Sequence, residues 1–333
     1  MIPEDRAEAR FLRILLCAAF VMLAFVFAVF LIVSVDVTPT VPQDTTLPPA
    51  DDQTTPVEDV LASPKYLPVS DDSTQTMDGS RLDAEFGLLM DMNTGKVVAS
   101  RKGDSRIYPA SMTKVMTMII CCERIEDVNA VISVSGDAIA AAYIEGASCA
   151  GFVAGERVTV LDLLYGIALP SGADATGTLA RYVAGGEAAF AELMNLKAAE
   201  MGLKNTHFVN ASGLHHDNHY TTPREMAAIV AYAMDNELCR TILSATTYTS
   251  TPTSEHPSGV VMYSTGFSRM SATKFGTAQI VATKTGFTDE ARFCFASYAE
   301  TDSGGRYVLI TANGNDRYAP VYDCKYVYET FAK

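Results

Sequence analysis

Ser111 and Lys114 are the first residues in this chain whose types and spacing could support catalysis. They begin the run SMTKVMTMIICCERI, Ser111–Ile125, whose apolar spacing predicts a helix with Ser111 at its N-cap. Residues three apart share one helix face, so the Lys114 amine can reach the Ser111 hydroxyl. Serine is a poor nucleophile until a base removes its proton, and a lysine of lowered pKa can be that base. The Ser-x-x-Lys spacing is common in helices, so the alternative is that Ser111 only caps the helix and Lys114 lies on the surface.

The second candidate is the tripeptide Lys284-Thr285-Gly286, which follows the apolar residues QIVA and so ends a predicted strand. A lysine ammonium attracts a carboxylate by charge, and a neighbouring threonine hydroxyl can donate a hydrogen bond to it. A glycine at this position would let a substrate backbone lie close to the strand. An ordinary exposed strand end could have the same composition.

The third candidate is the turn Ser171-Gly172-Ala173, which lies between two predicted helices. Its serine could present a hydroxyl to a site that the other two motifs form. Ala173 offers only a methyl group where a catalytic loop would use a polar side chain. The next residue, Asp174, could supply that side chain, although a carboxylate here is also typical of a helix cap.

The segments around these motifs must form the helices and strands that position them, and the order of their sequence patterns predicts an α+β fold. Two short apolar runs, Phe86–Asp91 and Lys96–Ser100, flank an Asn-Thr-Gly turn and predict a hairpin. Helical and then strand-like patterns follow, which predicts one sheet shared by both ends of the domain and a helical lobe between them. After the helix that begins at Ser111, further helices are predicted at 159–169, 174–185, 187–202, 221–236 and 318–333, and strands at 278–286, 291–300 and 305–314.

The N-terminus predicts a membrane anchor. Ile14–Val35 has no charged residue, and its 22 residues would rise about 33 Å as a helix, which is roughly the thickness of a bilayer core. Three arginines precede the span and no Lys or Arg follows it until Lys65, which predicts that residues 1–13 are cytoplasmic and the rest is outside. The alternative is a cleaved signal peptide, for which SVDVTPTVP offers no convincing cleavage site.

Residues 36–81 are rich in Thr, Pro, Asp and Ser and have no hydrophobic period. Such a segment cannot bury enough apolar surface to order itself, so it predicts a disordered acidic linker. The catalytic domain is then expected at residues 82–333.

Composition narrows the class of protein. A hydrophobic content of 48% supports a packed core, and a net charge of −14 argues against a nucleic-acid partner, which would require a basic face. The seven cysteines have no metal-site or disulfide-scaffold spacing and are expected to be mostly small buried hydrophobes. Pairing among Cys149, Cys239 and Cys324 stays open.

In this order the three motifs resemble those of the penicillin-binding protein and serine β-lactamase superfamily, Ser-x-x-Lys, Ser-x-Asn and Lys-Thr-Gly. The segments YPASMTKVMT, VTVLDLLYGIALPSGADA and ATKTGFTDEARFCFA are similar to the low-molecular-weight D-alanyl-D-alanine carboxypeptidases. Over residues 82–333 the resemblance implies a β-lactamase/transpeptidase-like fold, in which helices flank an antiparallel sheet. It also implies a peptidoglycan stem peptide as substrate, inhibition by β-lactams, and a reaction that needs no cofactor or metal.

The resemblance implies a role for each motif residue. Ser111 would attack the D-Ala-D-Ala bond and become acylated, Lys114 would be the base, and Ser171 would pass a proton to the leaving D-alanine. Lys284 and Thr285 would hold the terminal carboxylate of the substrate. The oxyanion hole would consist of the backbone N–H groups of Ser111 and Phe287. The substrate-binding set would be Lys284, Thr285, Gly286 and Phe287, with Arg317 as a further candidate for the carboxylate.

Ala173 departs from the family motif, whose asparagine binds the catalytic lysine and the substrate. Losing such a hydrogen bond costs on the order of 1.5–3 kcal/mol, or roughly ten- to a hundred-fold in rate if all of it falls on the transition state. This departure motivates one alternative, a catalytically weak protein that binds muropeptides or penicillin.

A β-lactamase is a second alternative. A class A enzyme needs a glutamate after the middle motif for deacylation, and the stretch HFVNASGLHHDNHYTTP contains none. A metal hydrolase using His215, His216 and His219 is a third, but Gly213 and Asp217-Asn218 predict a loop there rather than a metal-binding helix.

Overall fold

The computed structural model describes residues 65–333. The predicted cytoplasmic tail, the predicted anchor at Ile14–Val35 and the predicted linker up to residue 64 lie outside the described residues. Within residues 65–333, no helix combines the length and the apolar character that crossing a membrane requires.

Most of the strands belong to one sheet. The eleven strands of residues 65–333 are β1 Gln75–Thr76, β2 Phe86–Asp91, β3 Lys96–Arg101, β4 Val131–Ser133, β5 Arg157–Thr159, β6 Thr247–Thr249, β7 Val261–Tyr263, β8 Lys274–Phe275, β9 Ala278–Thr288, β10 Arg292–Thr301 and β11 Arg306–Gly314. The large sheet has seven strands in the order β1-β3-β2-β11-β10-β9-β8. Its neighbours are antiparallel apart from β1 and β3. The N-terminal hairpin therefore pairs with the C-terminal strands, as predicted.

The helices lie mainly in the chain segment between β3 and β9. The α-helices of residues 65–333 are α1 Lys114–Arg124, α2 Gly136–Ile144, α3 Val160–Ala168, α4 Ala173–Ala184, α5 Glu187–Glu200, α6 Pro223–Asp235, α7 Glu237–Ser244 and α8 Ala319–Phe331. The predicted α+β class is confirmed. Two helices, α2 and α7, were not predicted from the sequence.

The sheet is covered on both faces, which explains why β2 and β11 have apolar residues at consecutive positions. On β2, Leu88 and Met90 pack into the core beneath the helical lobe, whereas Leu89 between them packs into the second core against α8. Val308 and Leu309 on β11 alternate between the same two cores. Successive side chains of a strand point to opposite faces, so both faces must be apolar here.

The folded part begins earlier than predicted. β1 pairs in parallel with β3, and Met77 is only 1% exposed within the second core. The Arg224 guanidinium also donates a hydrogen bond of 2.6 Å to the Pro68 carbonyl. The predicted boundary at Leu82 is therefore too late, because a two-residue strand carries no periodic signal in the sequence.

The cysteines of residues 65–333 are all free thiols, including the three for which pairing was left open. Cys121, Cys239, Cys294 and Cys324 are buried, as expected for small hydrophobes, whereas Cys149 is exposed.

Candidate active site

Ser111 lies in a 3-10 turn, Ala110–Thr113, which leads directly into α1 at Lys114. The structure differs here from the predicted N-cap, because no side chain caps this turn and Ser111 is inside it. The preceding Ala110 has a φ of 46°, a left-handed conformation that is unusual for a residue with a side chain. The tight turn brings the Lys114 Nζ to 3.0 Å from the Ser111 Oγ.

The Lys114 amine is buried, with 2% of the residue exposed. Its Nζ also donates a hydrogen bond of 2.7 Å to the Ser212 carbonyl. Burial lowers the pKa of Lys114 to about 7, against the opposing effect of the negative charges of Asp174 and Glu187. A substantial fraction of this amine is therefore neutral near pH 7 and can accept the proton of Ser111.

Ser171 precedes α4 in a left-handed conformation, with a φ of 65°. Its hydroxyl accepts a hydrogen bond of 2.8 Å from the Lys284 Nζ, which also donates to the Thr285 carbonyl at 2.9 Å. Burial, together with the positive charges of Lys114 and Arg269, holds the pKa of Lys284 well below its ordinary value. Among residues 65–333 no carboxylate forms an ion pair with Lys284, so a bound anion would stabilise its charged form.

Gly286 makes a close contact that the sequence did not predict. A Cβ at this position would lie 2.8 Å from the Pro109 carbonyl oxygen and 3.2 Å from the Ser111 nitrogen. The turn that carries Ser111 packs so closely against β9 that only glycine fits at residue 286. This contact alone accounts for the glycine, whether or not the substrate also lies against it. The neighbouring Thr285 hydroxyl shares a hydrogen bond of 2.7 Å with the Thr265 hydroxyl.

One cavity of about 670 Å³ unites most of the predicted site. Its lining includes Ser111, Lys114, Ser171, Thr285, Gly286 and Phe287. Lys284 is not part of that lining, but it contacts the cavity through the Ser171 hydroxyl. Phe287 is 50% exposed, and its ring packs against Phe293 with 4.6 Å between centroids.

The structure does not bring Arg317 into this cavity. Arg317 lines a neighbouring cavity of about 570 Å³, whereas the half-buried Arg269 lines both. Neither guanidinium forms an ion pair with a carboxylate among residues 65–333. Arg269 was missed from the sequence, because a single arginine in a polar segment forms no motif.

Ala173 is the first residue of α4, and its N–H donates a hydrogen bond of 2.7 Å to the Ser148 carbonyl. Asp174 does not replace the missing amide in the cavity. Its carboxylate instead accepts hydrogen bonds from the backbone N–H groups of Ala150 and Gly151, at 2.8 and 3.4 Å. The first turn of α4 therefore holds the loop 147–151 in place.

His219 stabilises the nucleophile's turn. Its Nδ1 accepts a hydrogen bond of 3.2 Å from the Val209 N–H, so the proton belongs on Nε2, which lies 2.8 Å from the Thr113 hydroxyl. Burial lowers the pKa of His219 to about 3, which keeps it neutral. Both ring nitrogens are thus occupied and cannot bind a metal in this conformation. Across residues 65–333 no group of three His, Cys, Asp or Glu side chains is placed to hold a metal ion.

A serine beside a buried lysine, next to a second serine–lysine pair, is an arrangement suited to serine acyl transfer in which lysine would be the base in place of histidine. The sequence profile of the D-alanyl-D-alanine carboxypeptidase family matches residues 72–315, and this chain belongs to that family.

Individual relatives agree with this assignment. The chain is 32% identical over 228 residues to the D-alanyl-D-alanine carboxypeptidase DacF of Bacillus subtilis, covering 66% of this chain and 54% of DacF. It is 30% identical over 232 residues to the D-alanyl-D-alanine carboxypeptidase of Streptomyces sp. K15, covering 68% of this chain and 78% of that protein. The chain thus spans about half the length of DacF but most of the shorter Streptomyces protein.

Solved structures show the same fold. The Streptomyces K15 DD-transpeptidase is 27% identical, with a TM-score of 0.65 over 75% of this chain and 96% of that one. A D-alanyl-D-alanine carboxypeptidase from Mycobacterium tuberculosis, at 24% identity and a TM-score of 0.63, supports the fold alone.

Proposed function

We propose that this protein is a serine D,D-carboxypeptidase, which removes the terminal D-alanine of peptidoglycan stem pentapeptides through an acyl-enzyme. The observation that carries the proposal is the hydrogen bond of 3.0 Å between Lys114 and Ser111, since burial has lowered the pKa of this lysine to about 7. Membership of the carboxypeptidase family supports the substrate class.

The geometry supports a simple sequence of steps. The neutral Lys114 amine takes the Ser111 proton as the serine oxygen attacks the carbonyl carbon of the D-Ala-D-Ala bond. The backbone N–H groups of Ser111 and Phe287 are proposed to stabilise the oxyanion. Ser171, already hydrogen bonded to Lys284, passes a proton to the departing D-alanine nitrogen, and the proton that Lys114 took from Ser111 replaces it on Ser171, which returns Lys114 to its neutral form. Water then hydrolyses the ester and frees Ser111.

The terminal carboxylate of the substrate has a suitable binding region. Lys284 and Arg269 lack an ion-paired carboxylate among residues 65–333, and Thr285 and Arg269 line the same cavity as Ser111. An incoming carboxylate would relieve the mutual repulsion of these cations, so the site is electrostatically suited to a free C-terminus. Arg317 is proposed as a secondary contributor from the adjacent cavity.

The test uses the full-length protein in detergent, a fluorescent penicillin and a stem pentapeptide that ends in D-Ala-D-Ala. Covalent labelling that disappears in Ser111→Ala, together with D-alanine release, supports the carboxypeptidase. Labelling without release would favour the weak binder that Ala173 suggests. Rapid turnover of penicillin would favour a β-lactamase, and absence of any labelling would overturn the serine mechanism.

The location is a second part of the proposal. We propose that Ile14–Val35 anchors the protein in the bacterial cytoplasmic membrane, with residues 1–13 inside and the catalytic domain outside, beside its peptidoglycan substrate. The charge-free run and the arginines before it support this orientation. Intact-mass analysis of the membrane fraction should find the complete N-terminus. A product that lacks residues 1–35 would show a cleaved signal peptide instead.

A further inference from the structure

We propose that the Ser148 hydroxyl binds the substrate at the position where the family motif has an asparagine side chain, and that it supplies a hydrogen bond that Ala173 cannot. The inference rests on the proposed function, because it concerns the same substrate. The group recognised would be the amide carbonyl of the stem peptide beside the scissile bond.

Ser148 lies next to Ala173, the motif position that lacks the amide side chain. The Ala173 N–H donates to the Ser148 carbonyl at 2.7 Å, although the two residues belong to different elements. Ser148 also lines the catalytic cavity together with Ser111, Lys114 and Ser171. Residue 148 therefore lies beside residue 173 and in the lining of the catalytic cavity, where its hydroxyl would take the place of an asparagine side chain at residue 173.

The loop that carries Ser148 is held firmly. The Asp174 carboxylate binds the backbone N–H groups of Ala150 and Gly151, and a Cβ on Gly172 would lie only 2.7 Å from the Ala150 nitrogen. These contacts fix the loop against the start of α4 just after Ser148. A binding group held in advance loses little entropy when the substrate arrives.

The Ser148 hydroxyl is free to act on a ligand. The residue is exposed, and its hydroxyl forms no hydrogen bond with any group in residues 65–333. A hydroxyl offers one donor and two acceptors, so it can donate to an amide carbonyl as the asparagine amide does. A neutral hydrogen bond of this kind is weaker than a charge-assisted one, and removing it should cost about three- to ten-fold in acylation.

The experiment compares acylation rates of full-length variants in detergent, with fluorescent penicillin and with the stem pentapeptide. Ser148→Ala is expected to lower the acylation rate about three- to ten-fold. Adding Ala173→Asn to Ser148→Ala should restore the rate to within about two-fold of the unmodified protein, because the family amide returns. Cys149→Ser changes the next residue of the same loop, which lines only the neighbouring cavity, and should leave the rate unchanged.

The outcomes separate a binding role from a structural one. A general disturbance of the loop would lower the melting temperature in Ser148→Ala and would not be reversed by Ala173→Asn. An unchanged rate in Ser148→Ala, or a reduced rate that Ala173→Asn fails to restore, would overturn this inference alone, provided that the unmodified protein is labelled at Ser111. If the unmodified protein is not labelled, both this inference and the proposed function fail.

Discussion

The Lys284 Nζ lies 2.8 Å from the Ser171 Oγ, although the two residues are 113 positions apart in the chain. This hydrogen bond joins the third motif to the second. The third motif also meets the first, since a Cβ on Gly286 would lie 3.2 Å from the Ser111 nitrogen. The three motifs therefore form one connected unit, in which displacement of any motif is expected to disturb the others.

The pH dependence of acylation should follow Lys114. Its pKa of about 7 belongs to the free protein, so kcat/KM for the pentapeptide should rise with pH through about 7 and level off above it. The sign follows from the need for the neutral amine, which protonation below pH 7 removes. Below that pH the value should fall roughly ten-fold per pH unit. A profile that stays flat between pH 6 and 8 would show that Lys114 is not the base.

Gly286→Ala, on β9, should lower the rate at which Ser111 is acylated. The added methyl group would press on the Pro109 carbonyl at 2.8 Å and displace the turn that carries Ser111. We expect penicillin acylation to fall at least about ten-fold, since small misplacements of a nucleophile are costly. Gly186→Ala is the matched control, because a Cβ there has no neighbour within 4 Å. Equal rates for the two variants would contradict this account.

The two arginines should differ in their effect on the substrate carboxylate. Arg269 is half-buried and lines the catalytic cavity, so Arg269→Gln should raise KM for the pentapeptide acid about ten-fold or more. Arg317 is exposed and lines only the adjacent cavity, so Arg317→Gln should have a smaller effect. Neither substitution should alter turnover of a peptide with an amidated C-terminus. A larger loss with Arg317→Gln would reverse the assignment.

His219 should make folding stability sensitive to acid. Its pKa is about 3 in the folded protein and about 6.5 in an unfolded chain, so the unfolded state binds the extra proton between these values. The free energy of unfolding should therefore fall as pH drops from about 6.5 toward 3, by at most about 1.4 kcal/mol per unit from this residue.

Urea denaturation at pH 6.5 and at pH 5 measures the contribution of His219, if the free energy of unfolding of the unmodified protein is compared with that of His219→Gln. The unmodified protein should lose about 1–2 kcal/mol more than His219→Gln over this range, since other groups titrate in both. His216→Gln, on an exposed histidine of the same loop, should remain close to the unmodified protein, because burial is the largest cause of the lowered pKa of His219 and the charge of His216 is a smaller one. If all three proteins lose the same free energy of unfolding between pH 6.5 and 5, His219 is not the cause of the acid sensitivity.

Much of the secondary structure could be predicted from local patterns. The hairpin of Phe86–Asp91 and Lys96–Arg101 lies where two short apolar runs flank a turn, and α6 begins where Thr222 and Pro223 mark a helix start. α2 was missed because its run of alanines has little amphipathic contrast. β1 was not predicted because it has only two residues and forms by pairing with β3, which is more than twenty positions away in the chain. Such a short segment has no recognisable strand pattern of its own.

The sequence by itself determined the chemistry that is possible, because Ser111, Lys114, Ser171 and Lys284 carry the reactive groups at recognisable spacings. It also revealed that the motif amide is absent at Ala173. Only the tertiary structure decided which groups meet. The pKa of Lys114 depends on burial, and the approach of Ser148 to Ala173 depends on how a distant loop packs on α4. Burial and packing arise from contacts between remote segments, which residue types and local spacing do not specify.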